Sequence, residues 1–139
     1  MIDGVKMQLE QTYNPNTVYM RIGAEKGVKE LVKRFYDYME SLDEAKGIRK
    51  MHAEDMTEIR ETFYWFLSGW MNGPNLYFEK RGHPMLRKRH FPFAIGETER
   101  EAWLLCMNKA LADMDIDQDL KEILGERFAM VAEHMRNRE

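Results

Sequence analysis

Residues 82–93 read GHPMLRKRHFPF and place one histidine, His90, behind a basic run and in front of an aromatic-proline-aromatic stop. Pro92 pushes Phe91 away from helical dihedrals, so a short helix through Met85 to Arg89 must finish at about His90. A histidine at a helix end has a carbonyl one turn back that can accept its Nδ1 proton. Nε2 is then left as a lone-pair donor for a metal. Phe91 and Phe93 are placed to cover a flat apolar group, and Arg87, Lys88 and Arg89 to meet an anionic edge through a charge-assisted hydrogen bond. Taken by itself, the same stretch also reads as an exposed loop histidine on a solvated basic face, and that bland case is the commoner one.

The surroundings of the stretch are helical. Gly, Pro and Asn punctuate the chain at 13–16, 72–75, 82–84 and 92–96, and the intervals between carry helical rather than alternating patterning. The spacing of Val28, Leu31, Val32, Phe35, Met39 and Leu42 predicts a helix over about 24–42. Asp55 with Glu58 reads as a capping box before Ile59, Phe63, Phe66, Leu67 and Trp70, a helix that should stop near Asn72-Gly73-Pro74. Thr98 with Glu101 reads as a second box, opening a helix whose Trp103, Met107, Ala110, Leu111 and Met114 share a face. Asp117 is a plausible N-cap for the last helix, which carries Leu120, Leu124, Phe128, Val131 and Met135. The link after residue 42 reads as polar and irregular, and 72–96 as a long irregular segment of the kind that usually has a function. No segment alternates as a strand, so the fold class is all-α with four substantial helices.

Composition narrows the function. A chain of 139 residues with 44% hydrophobic side chains supports one domain with a real core. A net charge of −3 argues against a nucleic-acid binder, which usually shows a basic excess. The N-terminal MIDGVKMQLEQTYNPN lacks the apolar run of a signal peptide, and no window approaches a membrane span, so a cytoplasmic protein without membrane contact is expected. The single cysteine, Cys106, rules out an intrachain disulfide, a Cys-x-x-Cys pair and the Cys-x-x-Cys-His attachment of c-type haem, and reads as a small buried hydrophobe. Histidine and carboxylate spacings suited to zinc or di-iron are absent.

Two further residues favour a cofactor over the bland reading. Tyr36 falls beside the apolar stripe of the first long helix and Trp103 on that of the third, so both can point polar hydrogens inward, although either alone is more often an ordinary core residue. His52 lies in the link before the second long helix, placed either over a ligand pocket or in solvent. His83, in a Gly-His-Pro turn, reads as structural, and His134 as exposed.

With RFYDYM at 34–39 and NGPNLYFEKRGHPMLRKRHFPFAIGETEREAWLLCMNKAL at 72–111 in this order and spacing, the sequence resembles the group II truncated haemoglobins, the bacterial and plant branch of the two-over-two globins. The resemblance covers roughly 24–137 and is most specific across Gly82 to Met107. It implies a truncated globin two-over-two helical sandwich as one domain over 17–139, preceded by an N-terminal extension at 1–16 with no assigned role. The implied cofactor is non-covalent haem b. His90 matches the family's proximal iron ligand, Tyr36 its distal tyrosine and Trp103 its distal tryptophan. His52 falls near a variable pocket position, with Met51 competing for it. Ile59 matches the site where other globins often carry a distal histidine, and Phe63 the position one turn on. Arg89 and Tyr77 match common propionate contacts, with Lys80 a third, while Phe66, Leu67, Phe91 and Met107 are expected along the porphyrin. The family's paired-glycine hinge is reduced here to Gly23 and Gly27, which leaves open how the first long helix begins.

On this resemblance the chain binds dioxygen, nitric oxide or carbon monoxide at a haem iron with Tyr and Trp donors above it. Slow oxygen release is expected, suiting nitric oxide dioxygenation, peroxide chemistry or ligand storage, with an unidentified reductase as partner where turnover occurs. Family members are often dimers, so a homodimer is one expectation. Two other classes compete: a haem-based sensor without turnover, and a cofactor-free helical interaction protein in which the 12 methionines form an adaptable core.

Overall fold

The computed structural model describes residues 14–139. These form α1 (Val18–Ile22), α2 (Ala24–Ser41), a 3-10 turn (Asp43–Ala45), α3 (Lys46–Lys50), α4 (Thr57–Trp70), α5 (Leu76–Arg81), α6 (Leu86–His90), α7 (Glu97–Asp113) and α8 (Gln118–His134), and among the described residues no strand forms. Of the expected N-terminal extension, residues 1–13 lie outside the described part. None of the described helices is long and apolar enough to cross a membrane.

Helix α1 was not expected from the sequence. Five residues are too few to carry a period, and it forms because Thr17 caps it, the hydroxyl oxygen accepting from Met20 N at 3.2 Å. It ends at Gly23, where φ is 109°, in the left-handed region that an L side chain rarely adopts. The chain then turns straight into α2, and the two helices pack so closely that a Cβ on Gly27 would lie 1.9 Å from the carbonyl oxygen of Ile22. The separated glycines therefore do two different things. Gly23 supplies the bend, and Gly27 the close approach.

The four long helices form the sandwich. Helix α2 packs on both α4 and α7, and α7 packs in turn on α8. Val28, Leu31, Val32, Phe35 and Met39 are buried along α2 as its spacing predicts, while Leu42 sits at the C-cap and is only half-buried. Phe35 and Phe128 are among the largest fully buried side chains, and Trp70 stacks on Phe128 at 4.7 Å, tying α4 to α8. Burial of this kind is worth about 1.5–3 kcal/mol per large apolar side chain, enough to outweigh the weak helix propensity of the aromatics.

Two helix starts differ from the sequence expectation, and a third keeps its N-cap residue without the expected cap bond. The carboxylate of Asp55 accepts from Thr57 N at 2.9 Å and from the Thr57 hydroxyl at 2.7 Å, so it closes a turn two residues on rather than a box with Glu58, and Met56 becomes the N-cap. Helix α7 starts two residues earlier than the Thr98 box implies. The Glu99 carboxylate accepts from Gly96 N at 2.7 Å, and the extended Gly96 is the N-cap. Asp117 is the N-cap of α8 as expected but makes no side-chain cap bond, and its carboxylate lies 4.0 Å from the Arg21 guanidinium.

The link after residue 42 is also more regular than expected, because Ala45 and Ile48 are buried against α2 and α7 and draw the chain into the 3-10 turn and α3. The 72–96 segment likewise contains two short helices. Asn72 (φ 66°) turns the chain out of α4, and the buried Ser68 hydroxyl donates to Pro74 O at 2.7 Å to fix the return. Gly73 is required there, since a Cβ would meet the Tyr19 ring at 2.3 Å. Met85, at φ 49°, opens α6, which ends at His90 as the following proline predicts.

Candidate cofactor site

Helix α6 is a single turn whose purpose is visible at its last residue. His90 Nδ1 donates to Leu86 O at 2.6 Å, one turn back, which fixes the ring and its tautomer and leaves Nε2 with its lone pair. The ring is only half-buried. Around it, Arg89 Nε donates to Pro84 O at 2.8 Å while its guanidinium lies 5.9 Å from the Tyr77 ring, so the two expected propionate contacts are neighbours, with Tyr77 buried and Arg89 exposed. Lys80 lies over the ring of Trp65 at 5.0 Å. Phe91 is 53% exposed, with the Arg87 guanidinium 5.4 Å from its ring.

The opposite wall is built from α2, α3, α4 and α7. Tyr36 is buried, and burial pushes its phenol well above the usual range, partly offset by the Arg60 guanidinium 5.5 Å over its ring. Phe35 is the hub of this wall, its ring 4.8 Å from Tyr36, 5.5 Å from Phe63 and 5.1 Å from Trp103. Phe63 in turn lies 5.9 Å from Tyr36 and 6.4 Å from Trp103, and Phe66 is nearly parallel to it. Neither the Tyr36 hydroxyl nor the Trp103 indole N–H has a hydrogen-bond partner among the described residues.

His52 repeats the arrangement of His90. It follows the short helix α3, its Nδ1 donates to Ile48 O at 2.8 Å, and its ring stands edge-on to Tyr36 at 6.0 Å. Burial holds its pKa below the ordinary imidazole value, opposed by its bond to Ile48 O and helped by the nearby Arg49 guanidinium. Of the two residues competing for the variable pocket position, His52 is the one whose ring stands beside Tyr36.

Tyr36, His52, Phe63 and Trp103 are thus brought together, with Phe66 beside them and Ile59 at 36% exposure on the same helix. Leu67 and Met107, expected along the cofactor, are fully buried within the core cluster. His83 is structural, its Nδ1 accepting from Met85 N at 3.2 Å, and His134 is exposed. Arg60 was missed by sequence reasoning. It follows the gate position Ile59, and nothing in its spacing shows that it reaches back to α2, where it donates to Asp37 at 3.1 Å.

These features make a consistent demand on a ligand. Five large apolar side chains between residues 59 and 93 stay exposed, namely Ile59, Phe78, Met85, Phe91 and Phe93. The site also offers a fixed imidazole with a free lone pair, a buried tyrosine and a half-buried tryptophan whose hydroxyl and indole N–H have no partner among the described residues. No group of three metal-ligating side chains occurs among the described residues, so the imidazole needs a metal whose other donors come from elsewhere. A metalloporphyrin fits all of this: apolar faces, an anionic edge near Arg89 and Tyr77, and an iron that one histidine can hold.

An all-helical sandwich with one such imidazole and a Tyr/Trp wall defines a globin. The bacterial-like globin family model matches residues 17–137. The chain is 38% identical to the group 2 truncated hemoglobin YjbI of Bacillus subtilis over 88% of its own length and 89% of that protein's. Among solved structures it is similar to the cold-adapted truncated hemoglobin of the Antarctic bacterium Pseudoalteromonas haloplanktis TAC125, with a TM-score of 0.87 and 43% identity over 89% of this chain and all of that one. It is also similar to the group II 2-on-2 hemoglobin of Agrobacterium tumefaciens, with a TM-score of 0.85 and 41% identity over 88% and 95% of the two chains. The chain belongs to the bacterial-like globins, as a group II truncated haemoglobin. Its cofactor is haem, and it binds diatomic gases such as dioxygen there.

Proposed function

We propose that this globin holds dioxygen tightly, releases it slowly, and serves chemistry of that ligand, foremost with nitric oxide, rather than bulk delivery. The observation that carries this reading is the pair of inward donors, the Tyr36 hydroxyl and the Trp103 indole, that share the Phe35 and Phe63 wall and have no acceptor among the described residues.

His90 would hold the haem through Nε2, with Phe63, Phe66 and Phe91 against its apolar surface and Arg89 and Tyr77 at its anionic edge. When bound, the haem would supply an iron able to take and polarise a diatomic ligand. The chain's own groups do the rest. Trp103 can only donate, so it favours a ligand carrying negative charge over a neutral one. Tyr36 stays protonated across the physiological range because burial raises its pKa, and so remains a donor. His52 keeps its Nδ1 proton on Ile48 O, so that proton is not given to Tyr36.

A hydrogen bond to a charged partner is worth about 1.5–3 kcal/mol, and at about 1.4 kcal/mol per decade two of them slow release by roughly two to four powers of ten. Stopped-flow measurement of oxygen release should show Trp103→Phe and Tyr36→Phe each faster than wild type by tenfold or more. Release equally fast in all three proteins would remove the reading. Turnover with nitric oxide needs an electron donor, so an as yet unidentified reductase belongs to this proposal.

A further inference from the structure

The last turn of α6 is held from outside by the end of the chain. Asn137 Nδ2 donates to His90 O at 3.2 Å and to Phe93 O at 2.8 Å, and Asn137 Oδ1 accepts from Ile95 N at 2.9 Å. The assignment of oxygen and nitrogen is fixed by the partners, since two are carbonyls and one is an N–H. Backbone bonds complete the contact, with Asn137 N and Arg138 N donating to Ile95 O at 2.8 and 3.0 Å. One side chain, 47 positions along the chain from His90, therefore fastens the residue that carries the imidazole.

The fastening matters because α6 has little else. It is five residues long, and its N-cap Met85 provides no side-chain cap bond. None of its residues is buried, and His90 O, which has no helical successor, is bonded only by Phe93 N at 3.0 Å and by Asn137. A single turn of this kind does not hold its dihedrals unaided. The direction in which Nε2 points depends on the ring's bond to Leu86 O and on the backbone at residue 90, and Asn137 sets the second of these.

We infer that Asn137 is a positioning residue for the proximal histidine: through its carboxamide the C-terminal segment fixes His90 and sets how firmly, and at what angle, the imidazole holds the haem iron. This rests on His90 being the iron ligand. Asn137 touches neither haem nor gas, so its effect must appear in the iron-histidine bond.

The test compares haem-loaded wild type with Asn137→Ala, Asn137→Asp and, as a control, Arg100→Met. Asn137→Ala removes these three side-chain bonds together with the one that Oδ1 accepts from the Arg138 guanidinium at 3.4 Å. Asn137→Asp keeps the acceptor for Ile95 N but sets a carboxylate against the carbonyls of His90 and Phe93. Arg100→Met cuts the Arg100 links to Glu97 and Glu101 within α7 and to Glu133 on α8, and leaves the Asn137 carboxamide in place.

The iron-histidine stretching band of the deoxygenated ferrous protein is read by resonance Raman, and haem loss by transfer to excess apomyoglobin. Both Asn137 variants should shift or broaden the band and lose haem about tenfold faster, a factor equivalent to about 1.4 kcal/mol. Asn137→Asp should be the worse, and Arg100→Met should leave the band in place. A band unchanged in both Asn137 variants overturns the inference, and so does milder behaviour of Asn137→Asp, which would mean that the Ile95 bond alone matters. A His90→Gly protein that keeps the wild-type band would instead overturn the ligand assignment itself.

Discussion

At the level of single residues, the decisive groups are polar atoms placed in apolar surroundings, and their protonation follows from where they sit. His52 is the clearest case. Burial penalises its cation, so its folded pKa lies below that of the unfolded chain. The unfolded imidazole then takes up a proton first as the pH falls. The stability His52 contributes is complete above the ordinary histidine range near about 6.5 and is lost as the pH drops through that range towards the folded value. Replacing it with phenylalanine, which keeps the ring contact to Tyr36, should flatten the fall in thermal midpoint of the haem-loaded protein between about pH 7 and 5. Equal slopes in the two proteins would show that His52 is not the group responsible. Much at this scale could be read from the sequence: Pro92 dates the end of α6, and an imidazole at a helix end has an obvious carbonyl to bond. What could not be read are Arg60 and Asn137, whose partners lie 23 and 47 residues away, because a side chain's reach across the fold leaves no local pattern.

At the level of elements, long helices announced themselves and short ones did not. Helix α2 carries four turns of buried side chains and was legible to within a residue, whereas α1, α3 and α5 are too short to show a period and owe their form to caps and to contacts made elsewhere. The misplaced starts of α4 and α7 have a common cause. Acidic and hydroxyl residues are dense in both places, and which of them becomes the cap is settled by backbone geometry at Met56 and Gly96 rather than by composition. Glycine gives a sharp contrast at this scale. Gly27→Ala forces a Cβ to 1.9 Å from the Ile22 carbonyl oxygen and must part α1 from α2, whereas Gly47, within α3, has nothing within 4 Å of the added atom. Urea unfolding should show Gly27→Ala destabilised by about 1–3 kcal/mol or more and Gly47→Ala stabilised by about 0.4–1 kcal/mol. Similar stabilities for the two would mean that the α1–α2 junction yields more freely than its geometry allows.

At the level of the whole molecule, the sandwich and the site are one construction. The α2, α4 and α7 helices that bury Phe35 also carry Tyr36, Phe63 and Trp103, so the core that stabilises the fold also orients the donors. The other side of the pocket, from α5 to Gly96, has little core of its own and leaves Met85, Phe91 and Phe93 in solvent; on the proposed reading a bound porphyrin would supply apolar contact there. That division also explains which parts of the site the sequence revealed. Residues fixed by the core follow helical spacing; in the long segment His90 and its aromatic neighbours could be read from the proline stop, whereas Tyr77 and Lys80 were reached only through a resemblance to other globins. The most direct test of the account is the absorption spectrum of the purified protein supplied with hemin. Wild type should develop an intense Soret band that persists through gel filtration, and His90→Ala should lose most of it while remaining helical by circular dichroism. A protein that stays colourless with hemin, or a His90→Ala variant with the wild-type band, would contradict it.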